Sequence, residues 1–185
     1  HAMSRDELVK HGEDPTDPGG YFVINGTEKV LVNIEDLAAN NLIIEQDNTG
    51  KYVGRVFSSA GSYKIPHSFE LKNGFFYMSF TRIKTAPIVV VLKALGVLKD
   101  EEIMKLISPD KMYDEVLLNL LEFSDIKSSE DAIDYIARKS GFTQTKEIRV
   151  ERTQETLDKF LFPHIGMDKS SRMDKARNLC KMLKK

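Results

Sequence analysis

Four histidines, one cysteine and 28 acidic side chains are the groups in this 185-residue chain that could bind a metal, attack a carbonyl or move a proton. Their spacing leaves them little chemistry to do. His1, His11, His67 and His164 are scattered with no thiol or carboxylate at ligand spacing, so no metal centre is expected. Cys180 stands alone, which excludes an internal disulfide and a thiolate zinc site, and it falls on an apolar helical stripe with Met173, Ala176 and Leu183. No serine sits in a Gly-x-Ser-x-Gly turn, so an acyl-transfer hydrolase has no nucleophile. The acid pairs Glu101-Glu102 and Glu130-Asp131 open helices, where the dipole accounts for them without catalysis. Gly19-Gly20 precedes a strand instead of joining a strand to a helix, so no phosphate cradle of the P-loop or dinucleotide type is present. His164, following Pro163, reads as a structural hydrogen-bonding group. No catalytic residue and no cofactor are expected.

Charge is the remaining chemistry. With 27 basic against 28 acidic residues the whole chain lacks the basic footprint of a nucleic-acid binder. Locally the balance differs. Between residues 48 and 93 there are seven bases, Lys51, Arg55, Lys64, Lys72, Arg82, Lys84 and Lys93, against Glu70 alone. Between Lys99 and Asp134 there are eleven acids and four bases, and the terminal segment is basic again through Lys169, Arg172, Lys175, Arg177, Lys181, Lys184 and Lys185. A solvated face explains most such runs, but a basic sheet or a basic terminal helix could also make sequence-independent phosphate contacts, which acidic helices would repel. Lys51, Arg55, Lys64, Lys72, Arg82 and Lys84 are the candidate nucleic-acid-facing residues.

The elements that must position these charges can be read in order. Apolar runs flank Asn25-Gly26, a pair that accepts positive φ at both central positions of a type I′ turn, which predicts a hairpin over Tyr21 to Val32. Asn33 is placed to cap a short helix from Ile34 to Ala39. Strands are predicted over 42–45 and 51–57, and over 65–72 and 75–82 around a second Asn-Gly pair, Asn73-Gly74. Pro87 suits the first turn of a helix from Ile88 to Leu95, ended by Gly96. Helices follow over 99–107, 113–122, 130–139 capped by Ser129, 146–161, and from Ser170 onward. The fold class is α+β, with antiparallel hairpins in the first half packed against short helices in the second. The longest apolar run, Ala86 to Leu92, is too short to span a bilayer, and a cytoplasmic protein with no membrane partner is expected. His1-Ala2-Met3 reads as a cloning scar, and the start inside a helical pattern suggests an excised fragment.

The wording of the first hairpin carries more than its pattern does. Glu13-Asp14-Pro15, Asp17-Pro18-Gly19-Gly20-Tyr21-Phe22, Ile24-Asn25-Gly26-Thr27-Glu28-Lys29-Val30-Leu31 and Ile34-Glu35-Asp36-Leu37-Ala38 together resemble the second-largest subunit of multisubunit DNA-directed RNA polymerases, most of all its archaeal form. The motif residues are Gly19, Gly20, Tyr21, Asn25, Gly26, Glu28 and Lys29. The likeness continues through Ile88 to Gly96, Asp100-Glu101-Glu102-Ile103, Phe162-Pro163-His164-Ile165-Gly166 and the helix after it. Ala86-Pro87 stands where that family usually has Ile-Pro, and the turn at Lys72-Asn73-Gly74 is short. The resemblance implies that residues 4–41 are a strip of the protrusion and 42–185 the lobe. It implies a non-catalytic piece of a nucleotidyltransferase, forming part of the wall of the downstream DNA cleft and a docking surface for general initiation factors. Other polymerase subunits and the DNA backbone would be its partners. The rival reading is a stand-alone protein-interaction or RNA-binding module that uses the aromatic hairpin Phe75 to Phe80.

Overall fold

The computed structural model describes residues 3–109 and 113–184, so His1, Ala2 and Lys185 lie outside the described residues. The chain divides into two compact units, one ending at Leu37 and one beginning at Ala38.

In the first unit, helix α1 (Arg5–Lys10) opens where the Ser4 N–H and hydroxyl both donate to the Glu7 carboxylate at 2.8 Å. Strands β1 (Tyr21–Ile24) and β2 (Thr27–Val30) pair antiparallel, Tyr21 opposite Val30 and Ile24 opposite Thr27. The turn between them has φ of 51° at Asn25 and 74° at Gly26, the left-handed pair that its residues were suited to. The loop leading in closes on Asp17, whose carboxylate accepts the Tyr21 hydroxyl at 2.5 Å and the Gly19 N–H at 2.8 Å. These bonds hold Asp17 below the usual carboxylate range, and they push the Tyr21 phenol up to about 12. The helix expected over Ile34 to Ala39 is absent. Residues 31–38 have no regular structure, with Leu31 82% and Ile34 85% exposed. A six-residue helix has no apolar neighbour here to offset its nucleation, and the Asp36 carboxylate accepts the Leu37 N–H at 2.8 Å instead.

The second unit is built on a five-stranded antiparallel meander: β3 (Leu42–Gln46), β4 (Tyr52–Ala60), β5 (Tyr63–Lys72), β6 (Phe75–Phe80) and β7 (Ile83–Pro87), hydrogen-bonded in that order. Asn73 and Gly74 form the second left-handed turn. Strand β7 corrects the expected strand over 75–82. The register between β6 and β7 shifts between Met78 and Phe80, and Thr81 and Arg82 turn the chain back onto β6. The two-residue period sorts the sheet into faces. Val56, Ser58, Ile65, His67, Met78 and Phe80 are buried on one, whereas Arg55, Lys64 and Pro66 are exposed on the other.

Helix α2 (Ile88–Ala94) is buried at every position, and packs on β6 and β7 as the centre of the core. Pro87 ends β7 and caps this helix from outside, one step before the predicted first turn. At its other end the Val97 N–H donates to the Leu92 carbonyl and the Gly96 N–H to the Lys93 carbonyl, both at 3.1 Å, a Schellman closure. Around it lie α3 (Asp100–Ile107), α4 (Asp114–Glu122), α5 (Ser129–Lys139), α6 (Lys146–Phe160) and, after a 3-10 turn at Lys169–Ser171, α7 (Arg172–Leu183). Ser128, one residue earlier than expected, caps α5 by accepting the Asp131 N–H at 3.0 Å. That frees the Ser129 hydroxyl to donate to the Ala94 carbonyl at 2.8 Å, which ties α5 to the end of α2. Between α5 and α6 the buried Asp134 carboxylate takes Arg149 at 2.7 Å and Arg138 at 2.7 Å. No helix among the described residues is long and apolar enough to cross a membrane.

Candidate nucleic-acid interface

The six candidate cations separate into two groups. Arg55 faces Ser68 across β4 and β5, Ser68 faces Ser79 on β6, and Lys64 faces Ser59. Arg82 and Lys84 flank Ile83, which pairs with Phe80, so they reach the same end of the sheet as Lys64, while Arg55, opposite Ser68, stands mid-strand between the two ends. There a shallow hollow of about 420 Å³ is lined by Arg55, Phe57, Pro66, Ser68, Thr81 and Lys84 among others, with no acid in its lining among the described residues. The Lys64 ammonium sits over the Phe57 ring, 5.4 Å from its centre, which holds the charge at the rim. Lys51 and Lys72 belong to the opposite end. Lys64 and Lys72 are eight positions apart on β5, roughly 26 Å at a strand's rise.

Acids accompany this second group. Lys72 pairs with Glu70 at 2.5 Å, and Lys51 shares a small cleft with Asp47 and Glu70. Arg55 in the first group also meets Glu45, at 3.4 Å, with both side chains about half exposed. From Leu42 to Pro87 the sheet carries six bases and three acids, so its excess is smaller than the stretch from 48 to 93 implies. Part of that difference is Lys93, which is a core residue: its ammonium donates to the Phe123 carbonyl at 2.8 Å and lies 3.4 Å from the Asp100 carboxylate.

The basic terminal helix spends two of its charges inside the fold, while Lys169, Arg177, Lys181 and Lys184 stay exposed. Lys175 is fully buried on α7 and donates to the Leu157 and Asp158 carbonyls at 3.2 and 2.5 Å; burial pulls it down to about 8. Arg172 binds both oxygens of the Asp158 carboxylate at 2.6 Å, and Arg177 pairs with Asp174 at 3.1 Å. Cys180 is buried as an apolar group, its thiol pushed up to about 12. The aromatic hairpin is no open stacking platform either. Phe80 is buried against His67, and Phe75 and Phe76 pack against the core.

The sequence left unnoticed a polar latch on the covered face of the sheet. His67 stacks between Phe80 and Phe162, ring centres 5.3 and 4.7 Å away. Its Nδ1 lies 3.0 Å from the Ile65 carbonyl, and its Nε2 accepts the Phe162 N–H at 3.2 Å, which fixes a neutral ring protonated on Nδ1. Burial pulls His67 down to about 4. Ser58, fully buried, meets His164 Nδ1 at 2.7 Å, in the structural role expected of that histidine. Burial, and then the charge of Lys175, lower His164 too. The available signal was phase: His67 alternates with Ile65 and Phe69, so it had to share their covered face.

The Phe162 to Gly166 motif is therefore a clasp between the sheet and the helices that follow. A Cβ on Gly166 would stand 2.6 Å from Ser171 Cβ and 2.8 Å from its hydroxyl, where Ser171 is held by the Asp168 carboxylate and carbonyl. Gly166→Ala is expected to cost about 2 kcal/mol by overpacking, read as a lower urea midpoint at unchanged slope. In the first unit, Asn25, Gly26, Glu28 and Lys29 of the other motif are exposed on the hairpin, while Gly19 and Tyr21 are half-buried around Asp17.

Comparison with known proteins agrees with this architecture. Residues 38–185 match the family model of RNA polymerase Rpb2, domain 2. The chain is 37% identical to the DNA-directed RNA polymerase subunit Rpo2 of Saccharolobus solfataricus over 97% of its own length and 16% of that protein's. Against subunit Rpo2N of Methanocaldococcus jannaschii it is 36% identical over 97% of this chain and 38% of the relative, and against that of Halobacterium salinarum 35% over 97% and 36%. It thus spans between about one sixth and two fifths of these relatives. With a matching model over most of its residues and an α+β meander packed on helices, the chain belongs to the RNA polymerase Rpb2, domain 2 family.

Proposed function

We propose that this chain serves transcription in the cytoplasm, as a non-catalytic wall element within the second-largest subunit of a DNA-directed RNA polymerase. The basic end of its sheet lies along the downstream DNA backbone, and its helices meet other subunits and general initiation factors. The observation that carries the DNA-facing half is the placing of Lys64, Arg82 and Lys84 at one end of the sheet, with Arg55 joining Lys84 in a hollow that has no acid among its described lining residues. Such a surface neutralises phosphates without reading bases, so binding is non-specific and steeply salt-dependent. No cofactor takes part, and the polymerisation chemistry is supplied by other parts of the enzyme.

Anisotropy with a fluorescent duplex at low salt tests this reading. Replacing Arg55, Lys64, Arg82 and Lys84 together by glutamine is expected to weaken binding at least about tenfold, and to reduce the slope of log K against log salt by roughly two to three. Replacing Lys51 and Lys72, which have carboxylates beside them, is expected to change affinity less than about twofold. Undiminished binding by the fourfold variant would remove the basis of the assignment.

A further inference from the structure

Helix α4 has its amphipathic pattern partly reversed. Asn119 is only 1% exposed: its Oδ1 accepts the Phe76 N–H at 3.0 Å, and its Nδ2 donates to the Gly74 carbonyl at 3.0 Å and to the Glu115 carbonyl at 2.6 Å. The polar side chain is thus used inward, to bind the end of the β5–β6 hairpin. Leucines are left outside, Leu118 at 55% and Leu121 at 70% exposure. A helix carrying apolar groups on its inner and outer sides is built to be covered on both.

Beside these leucines a groove of about 630 Å³ runs between α3 and α4, floored by Met104, Pro109, Leu117, Leu120 and Leu121. Asp100 and Glu101 border it, with Lys105 as the single cation in its lining among the described residues. On α3 and α4, Asp100, Glu101, Glu102, Asp114, Glu115 and Glu122 are exposed against Lys105, so the two helices that frame the groove carry a net negative charge.

We propose that this groove receives a basic amphipathic helix of a partner protein, its leucine or phenylalanine anchors seated on Met104, Leu117 and Leu121 and its lysines or arginines over the acidic border. The charge selects the occupant. Nucleic acid and anionic lipid are repelled by the exposed acids of α3 and α4, Glu101 foremost because Asp100 already pairs with Lys93, and a second copy would bring the same negative face against itself. A groove between two helices suits anchors spaced i, i+3, i+4 and i+7, the pattern of helix-in-groove recognition. The inference rests on the docking half of the function proposed above and is independent of its DNA-facing half.

The test uses the 185-residue chain and a fluorescein-labelled helical peptide of about 18 residues, with leucines at i, i+3, i+4 and i+7 among lysines and arginines. Two comparison peptides replace the leucines by serine, or the basic residues by glutamate. The first peptide is expected to bind at least about tenfold tighter than either, with Leu118→Ser/Leu121→Ser abolishing that advantage and Glu101→Lys flattening its salt dependence. Both leucines are exposed, so circular dichroism of the double variant should match the parent. The proposal is overturned if none of the peptides binds, if the serine peptide binds as well as the first, or if sedimentation shows a dimer of the chain that Leu121→Ser dissolves. The glutamine variant at Arg55, Lys64, Arg82 and Lys84 is expected to bind the peptide as the parent does. Loss of the peptide with DNA binding intact removes only this inference, and the reverse removes only the DNA-facing assignment.

Discussion

Phe162→Ala is expected to lower the stability of the unit from Ala38 onward by about 4 kcal/mol, within the range for deleting a fully buried aromatic ring. The ring has no exposed surface. It stacks on His67 at 4.7 Å, lies parallel to Phe69 at 6.5 Å and meets His164 edge-on at 5.9 Å, so its removal opens a hole where three other rings lose a partner. The backbone adds to the argument. Phe162 has φ of 45°, a conformation costly for any residue with a Cβ, held by the packing of the ring together with the backbone bonds of Phe162 to His67 and Ile165. Alanine keeps the strain and loses the packing. For a unit of this size the change corresponds to a fall in melting temperature of roughly 10–15 °C, measurable by calorimetry. A loss below about 1 kcal/mol would show that the clasp between sheet and helices is not what holds them together.

Acid is expected to open the same clasp as His67 takes up a proton. His67 stands at about 4 in the folded chain, against 6.5 when unfolded, because burial disfavours its charged form. Between those values the unfolded chain carries the proton and the folded chain does not. Stability is therefore fully present above pH 6.5 and falls as pH drops towards 4, by about 3 kcal/mol in all at 1.36 kcal/mol per pH unit. His164, lowered for the same reason, pulls in the same direction. The Asp side chains at Asp14, Asp17, Asp47 and Asp168 are held below the ordinary 3.8 by their hydrogen bonds, so their loss belongs to more acid solution. Urea midpoints at closely spaced pH values from 7.5 to 4 test this. His67→Gln is expected to be less stable at pH 7 and to show a flatter profile below 6.5; an equally steep profile would assign the acid sensitivity elsewhere.

Taken together, the clasp and the charges describe a surface element with a rigid back. Among the polar groups inside it, Ser58, His67, Lys93, Asn119, Asp134 and Lys175 are matched to partners across element boundaries, whereas the buried Thr153 hydroxyl has none. Each would be costly to bury alone, so each restricts how sheet and helices can be assembled. Of the proposed binding surfaces, the basic end of the sheet uses side chains outside this framework, whereas the leucine groove between α3 and α4 shares Asp100 and Leu120 with it.

Much of this chain was decided locally. Asn25-Gly26 and Asn73-Gly74 admit left-handed backbone at both positions, so both hairpins follow from residue type alone. The buried helix after Pro87, and the stops at Gly96 and Gly141, rest on the same kind of short-range chemistry. The α+β class and the polymerase likeness were likewise legible in residue order. What needed tertiary structure was the fate of groups whose worth depends on distant partners. Ile34 to Ala39 had a capping residue and a helical pattern but no surface to fold against, so it stayed irregular. Lys93 and Lys175 look like surface charges in one dimension, and only carbonyls 30 and 17 residues away make them core residues. Linear charge counting cannot see such pairings, nor that strand register gathers Lys64, Arg82 and Lys84 at one end of the sheet, leaves Arg55 midway and sends Lys51 and Lys72 to the other end. Electrostatics and burial act through space, and which charges share that space is settled by how the strands pair.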